Sequence, residues 1–229
     1  MSDQPTGFLE EANWIQANES KVNNYFNEYF KMRVGENAKK VWHGQHFEWF
    51  ANRVARDRFT EVDLAAIGAL SVKLKAQTAR ELIEDSDGVL RGLLGECESW
   101  VASHGGDLSD PNLATDWLKK GSSFRRLWDE LIKSQRIDLG PVKASKLMAA
   151  RYPGLVPIFD SQVSELLGVT VNDPWWKPIR KLVLEVKPIL DKLELKRDDI
   201  QVTTLRKLDV VLWMKAKERN SNAINEEEK

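Results

Sequence analysis

The chain has 229 residues and a mass of 26.2 kDa, enough to bury a hydrophobic core without disulfides or metal ions. Hydrophobic residues make up 42% and charged residues 30%, which excludes a disordered or collagen-like chain, and 34 Lys and Arg balance 35 Asp and Glu, so the overall charge identifies no partner. The single cysteine, Cys97, excludes an internal disulfide, and with neither a signal-peptide pattern nor an apolar run of roughly 20 residues, we expect a cytoplasmic protein without membrane contact.

The termini differ from the rest of the chain, because residues 1–12 and 218–229 are polar and show no clear apolar period. We expect flexible tails there and a single all-α domain of nine or ten helices over residues 13–217. The first strong stripe predicts a core-facing helix that ends before Gly35. It consists of Val22, Tyr25, Phe26, Tyr29 and Phe30.

Two further helices are indicated by a capping pattern and by a second apolar stripe. Thr60 followed by Asp63 predicts a helix that begins at Glu61. The second stripe is closed by Gly105 and includes Cys97, which we therefore interpret as core filler. Its members are Val89, Leu90, Leu93, Leu94, Cys97, Trp100 and Val101.

The second half of the chain continues in the same helical period. A turn at residues 109–111 precedes a capped helix through Trp117, and an apolar face over residues 124–132 predicts the next helix. Residues 174–187 and 204–219 also read as helices, with Pro188 expected to break or restart the first of them. Strand character is confined to short segments such as residues 155–159.

Charge is distributed unevenly along this helical chain. Residues 81–116 hold nine acids and one base, whereas residues 117–151 hold nine bases and three acids. A local excess of cations attracts polyanions even in a neutral molecule, although it also describes an ordinary solvated helix face.

A short helical hairpin is predicted over residues 137–147. Gly140 suits the positive φ of a tight turn, and Pro141 suits the first position of the following helix. With two lysines on one helix face, the helix N-terminus is expected to bind phosphates of DNA, or of RNA, without recognising the base sequence. The predicted contacts are Leu139, Gly140, Val142, Lys143 and Lys146.

This hairpin, with the segment that follows it, resembles the helix-hairpin-helix DNA glycosylase superfamily, in which an aspartate follows the second hairpin glycine by about twenty residues. Gly140 and Asp160 have this separation. The resemblance implies that Asp160 is the catalytic carboxylate, which orients water or stabilises the cationic sugar as a base departs. Val142 occupies the position of the lysine that forms a Schiff base in bifunctional members, so the resemblance implies a monofunctional or inactive relative.

Asp160 has two interpretations that are compatible with each other. A glycosylase holds an everted base between aromatic walls, for which Trp175 and Trp176 are the nearest candidates. Alternatively, Asp160 caps a helix beginning at Ser161 by accepting a hydrogen bond from the amide of Gln162 or Val163.

A broader resemblance, to a family of uncharacterised bacterial proteins, extends over residues 59–214 and rests on segments such as 143–147, 155–160 and 208–214. It implies one continuous domain and no chemistry. No zinc-ligand set, calcium loop or nucleotide fingerprint is present, so we predict no metal and no cofactor. A second hypothesis for the function is a protein-binding module that uses the acidic segment or a tryptophan surface, as the near-zero net charge favours.

Overall fold

The computed structural model describes residues 6–34, 40–42, 45–134, 137, 139–170, 176–195 and 199–227. Within these residues the fold is all-α, as predicted, with eleven helices instead of nine or ten. A short antiparallel pair of strands, β1 (Met32–Val34) and β2 (Lys40–Trp42), places Arg33 opposite Val41. The helices are α1 (Thr6–Ala17), α2 (Glu19–Phe30), α3 (Gln45–Ala51), α4 (Glu61–Ala69), α5 (Ala76–Glu84), α6 (Val89–His104), α7 (Ser123–Lys133), α8 (Pro141–Arg151), α9 (Ser161–Leu167), α10 (Trp176–Leu190) and α11 (Thr204–Glu227).

The helices that the apolar stripes predicted are present where expected. All five apolar side chains of the first stripe are buried in α2. Helix α4 begins at Glu61, and the Thr60 amide donates a hydrogen bond of 2.8 Å to the Asp63 carboxylate, which confirms the predicted cap. Cys97 is fully buried on α6, where burial raises the pKa of its thiol to about 12, as suits a core residue.

The chain termini depart from the prediction. Helix α1 begins at Thr6, and Phe8, Ala12 and Ile15 bury one face of it in the core, so a flexible tail over residues 1–12 is wrong from Thr6 onward. Their spacing is helical, but three apolar residues among polar ones make a weak pattern. At the other end, α11 continues to Glu227, past the predicted boundary at residue 217.

Three local predictions are corrected by the structure. Pro188 lies within the last turn of α10, which continues to Leu190. Residues 155–159 form an irregular loop, with its apolar side chains buried, instead of a strand. The helix expected through Trp117 is only a 3₁₀ turn, Asp116–Leu118, in which the Trp117 side chain is fully buried.

A buried ion pair joins α8 to α4. Arg151 donates from Nη1 to the Asp63 carboxylate at 2.9 Å, and both side chains are fully buried. Arg151 also donates to the backbone oxygens of Arg58 and Ala55, so it fixes the loop before α4. At the other end of α4, Lys146 from the middle of α8 donates to the Leu70 backbone oxygen at 3.3 Å. The two helices therefore run antiparallel, and both ends of α4 are bonded to α8.

Candidate ligand cavity

The predicted hairpin is present, but its glycine has a different conformation. Helix α7 ends at Lys133 and α8 begins at Pro141, with Pro141 in the first turn as expected. Gly140 is the N-cap of α8 and has φ −66°, so the predicted positive φ is wrong. Gly140 enters α8 in extended geometry, and the preceding residue, Leu139, donates its amide to the Leu131 backbone oxygen at 3.1 Å.

The five residues predicted to contact phosphates do not share one accessible surface. Leu139 is buried, and its side chain belongs to the main core. Gly140 is exposed, whereas Val142 and Lys143 are half-buried. Lys146 is only 8% exposed, so the prediction that the two lysines present one solvated face is wrong. Of the predicted set, Gly140 and Lys143 remain best placed for a surface ligand.

Lys146 instead forms an ion pair with Asp160. Its Nζ lies 3.1 Å from Asp160 Oδ2, and the exposed fractions of the two side chains are 10% and 16%. A pair of this kind is partly desolvated, so each charge depends on the other more than a surface pair would. The sequence predicted that Lys146 contacts a phosphate and that Asp160 is the catalytic carboxylate. The structure brings these two residues into direct contact.

Ser145 explains why Asp160 reaches Lys146. The Phe159 amide donates to Ser145 Oγ at 2.9 Å, and the Ser145 hydroxyl is within 3.0 Å of the Val142 backbone oxygen. The buried loop that precedes Asp160 is thereby fixed to α8 by a bond next to Lys146. The role of Ser145 in holding this loop is not visible in the sequence, because its partner Phe159 lies 14 residues away.

The capping interpretation of Asp160 is confirmed, and Asp160 also lines a cavity. Asp160 is the N-cap of α9, and its Oδ1 accepts the Gln162 amide at 3.1 Å. The same residue lines a cavity of about 420 Å³ between α8, α9, α11 and the ends of α2 and α4. This volume lies within the range of small-molecule sites.

The cavity wall is rich in charged and aromatic side chains. Six of its residues carry charge, and two are aromatic. The charged residues are Glu28, Lys146, Asp160, Arg206, Asp209 and Lys217, and the aromatic residues are Tyr29 and Trp213.

Helix α11 supplies the part of this wall that sequence reasoning missed. Arg206, Asp209, Trp213 and Lys217 follow one another at spacings of three and four, so they lie along one face of α11 and all line the cavity. Charged residues at this spacing on a helix with a buried apolar face were the available signal. The sequence does not indicate which of these charged residues meet, because the partners of Arg206 lie 158 and 177 residues away along the chain.

Arg206 is the centre of a buried polar cluster at the floor of the cavity. It donates from Nε to Glu48 at 2.6 Å, from Nη2 to the Tyr29 hydroxyl at 2.6 Å, and from Nη1 to Asp209. Burial raises the pKa of Asp209 to about 6 and that of Tyr29 to about 12. Asp160 also raises the pKa of Asp209, while Arg206 opposes the shift.

Trp176, one of the two tryptophans predicted as pocket walls, does not line the cavity. Trp176 stacks on Trp117 with ring centroids 5.2 Å apart and packs edge-on against Trp128 at 5.6 Å, away from the cavity. Trp175 lies outside the described residues. The aromatic wall is formed by Tyr29 and Trp213, whose rings meet edge-to-face at 5.8 Å.

Several carboxylates of the acidic segment are engaged in local structure. Asp85 accepts the amides of Leu90 and Arg91 at the start of α6, and Asp116 accepts the indole N–H of Trp100 at 3.1 Å. Glu96 pairs with Arg126 across α6 and α7. These contacts account for much of the local acid excess by helix capping and packing.

Neither a metal-ligand cluster nor a membrane-spanning helix is found among the described residues. No cluster of three or more His, Cys, Asp and Glu side chains is placed to hold a metal ion in the described part of the chain. Among the same residues, no helix is sufficiently long and apolar to cross a membrane.

The fold and this site define an all-α protein with a polar, partly enclosed cavity. The sequence matches a family of unknown function (DUF6308) over residues 22–216, so the chain belongs to that family. No curated protein and no solved structure matches the chain. The predicted membership of an uncharacterised family is confirmed, whereas the resemblance to helix-hairpin-helix glycosylases stays a prediction.

Proposed function

We propose that this protein associates with nucleic acid through the hairpin at Gly140 and receives an everted base in the cavity beside Asp160. The observation that carries this proposal is the position of Asp160, whose carboxylate caps α9 and faces the cavity at the same time. A base removed from the stack requires a pocket of this kind, with polar groups at its edge and an aromatic wall.

The hairpin and the cavity are close enough to act on one strand. Lys143 is half-buried near the start of α8, and Lys146, one turn later on the same helix, lines the cavity. A phosphate held by Lys143 and Gly140 would therefore lie within one helical turn of the base-binding space. In this proposal, Lys143 holds the phosphate and Lys146 supports Asp160.

The chemistry proposed for Asp160 is hydrolysis of a glycosidic bond without strand cleavage. The base leaves with the bonding electrons while the Asp160 carboxylate stabilises the positive charge on the sugar. Water then adds its oxygen to the sugar carbon, and the proton that the water loses ends on the departed base. Val142 has no amine for a Schiff base, which favours a monofunctional reaction. The resemblance of residues 137–160 to the glycosylase hairpin is a second support.

Duplex DNA binding, measured by fluorescence anisotropy over a series of salt concentrations, tests the hairpin. Lys143→Glu should weaken binding severalfold and lower the log-log salt slope by about 0.9, because one phosphate contact is lost. Lys177→Glu, at an exposed position of α10, is the matched control and should bind as the unmodified protein does. Equal affinity in both variants would remove the hairpin from DNA binding.

Base release from a panel of damaged duplexes tests Asp160. Asp160→Asn keeps an oxygen that can accept the Gln162 amide, so α9 retains its cap while the charge is lost. We expect release to disappear in this variant and to persist in Asp110→Asn, where an exposed turn carboxylate accepts the Asn112 amide in the same way. Full activity of Asp160→Asn would leave Asp160 with a structural role alone.

A further inference from the structure

We propose that the cavity selects a nucleotide whose base carries an exocyclic amino group, with the amino edge directed toward Asp209 and the phosphate toward Lys217. This inference rests on the proposed function and specifies which bases the same cavity accepts. The supporting observation is that both the charge and the burial of the side chains change along α11, from the floor of the cavity to its mouth.

At the mouth of the cavity lies a lysine for which the described part of the chain supplies no counter-charge. Lys217 is exposed, and its Nζ lies 5.1 Å from the centre of the Trp213 ring. Among the described residues no carboxylate pairs with Lys217, whereas Lys146 is paired with Asp160 and Arg206 is paired with two carboxylates. A ligand phosphate at the mouth would supply the missing negative charge.

The floor of the cavity has the opposite charge, with an excess of carboxylates. Arg206 is shared between Glu48 and Asp209, so this buried cluster has more carboxylates than cations. Asp209 is 9% exposed, and its Oδ2 accepts from Arg206 while no described donor reaches its Oδ1. A base amino group donates to such an oxygen, but a base carbonyl would place two acceptors against each other, and a mismatch of that kind is costly in a buried site.

The distance between these two groups fits a mononucleotide. Asp209, Trp213 and Lys217 are spaced by four residues each, so they occupy successive turns of one helix face. Their backbone positions span about 12 Å along α11 at 1.5 Å per residue. The Trp213 ring lies between the two ends, where it offers an apolar surface to the base or the sugar.

Calorimetric titration of the full chain with matched pairs of nucleoside monophosphates tests this selection. CMP and UMP differ in the exocyclic amino group, as do AMP and IMP. We expect the amino member of each pair to bind at least about 10-fold more tightly, and CMP to bind more tightly than cytidine. Equal affinities within both pairs, or no heat of binding for any of the four, would overturn the proposal.

Two variants separate the ends of the cavity. Lys217→Gln should lower the affinity for CMP to that for cytidine and leave cytidine binding unchanged, while Lys177→Gln should alter neither. Asp209→Asn should abolish the preference for CMP over UMP, because its single oxygen accepts from Arg206 and its amide NH₂ group then faces the nucleobase. Circular dichroism confirms the helix content of this variant. Retention of the phosphate preference in Lys217→Gln, which is at a surface position and does not threaten folding, would overturn the assignment of Lys217.

The outcomes distinguish this inference from the proposed function. CMP selectivity without duplex binding would support the nucleotide site and remove the hairpin from nucleic-acid recognition. Duplex binding and base release with equal affinities for CMP and UMP would support the proposed function and reject the selection by Asp209.

Discussion

The ammonium group of Lys146 lies 3.1 Å from the Asp160 carboxylate at the wall of the cavity. Lys146 also donates to the Leu70 backbone oxygen, so this side chain connects α8 to the end of α4 and to the start of α9. The position of Asp160 is therefore set by Lys146 together with Ser145. Substitutions of these two α8 residues should displace the Asp160 carboxylate at the start of α9.

Replacing Lys146 should reduce stability through the charge that it leaves behind. Lys146→Met keeps most of the length of the side chain but removes the ammonium group that makes both contacts, so we expect a loss of about 1–3 kcal/mol in the free energy of unfolding, measured in urea. The cost stays below that of a sealed pair because Asp160 retains some solvent contact. Lys177→Met is the surface control, with a change of about 0.5 kcal/mol or less.

A double variant tests whether this loss comes from the pair. Lys146→Met combined with Asp160→Asn should cost less than the sum of the two single changes, because neither uncompensated charge then remains. Additive losses would contradict a coupled pair.

The Arg151–Asp63 ion pair should be one of the costliest to break. Arg151→Met leaves the fully buried Asp63 without its cation and the loop before α4 without two bonds, so we expect a loss of about 3–5 kcal/mol. Arg58→Met, which breaks only an exposed pair with Asp57, should cost about 1 kcal/mol or less. Similar midpoints of urea unfolding for the two variants would show that the buried pair contributes no more to the free energy of unfolding than the exposed pair does.

The raised pKa of Asp209 predicts a specific dependence of stability on pH. Its folded pKa of about 6 exceeds the ordinary value of 3.8, so the folded protein retains a proton that the unfolded chain releases. The resulting stabilisation is complete below pH 3.8 and is lost as the pH rises through about 6. The groups that set this pKa besides burial are Arg206, Asp160 and Lys146.

Comparison with Asp209→Asn isolates this contribution from other carboxylates. Between about pH 7.5 and about pH 4.5, the unmodified protein should gain on the order of 2 kcal/mol relative to the variant. Urea unfolding at several pH values measures the difference, and parallel pH profiles for the two proteins would contradict a raised pKa at Asp209.

Two neighbouring residues of α1 test whether this helix belongs to the folded domain. Phe8 is 3% exposed and Leu9 is 59% exposed, so they differ in burial while sharing the same helix. We expect Phe8→Ala to cost about 3–5 kcal/mol and Leu9→Ala to cost about 0.5 kcal/mol or less, measured by urea unfolding. Equal, small effects would return residues 1–12 to the status of a tail.

The amino-acid sequence by itself determined most of the local structure. Apolar periodicity placed α2, α6 and α7, the Thr60–Asp63 pattern placed the start of α4, and Pro141 placed the start of α8. These signals depend on residues within one or two helical turns, where spacing alone decides which side chains share a face. The cap formed by Asp160 was predictable for the same reason.

Only the tertiary structure decided what the charged residues do. Lys146 was assigned to the surface because nothing near it in the sequence indicates that Leu70 and Asp160 enclose it. Arg206 likewise meets Glu48 and Tyr29 from distant helices. A long charged side chain takes its partner from whichever element packs beside it, and that choice depends on the packing of the whole core instead of on local spacing.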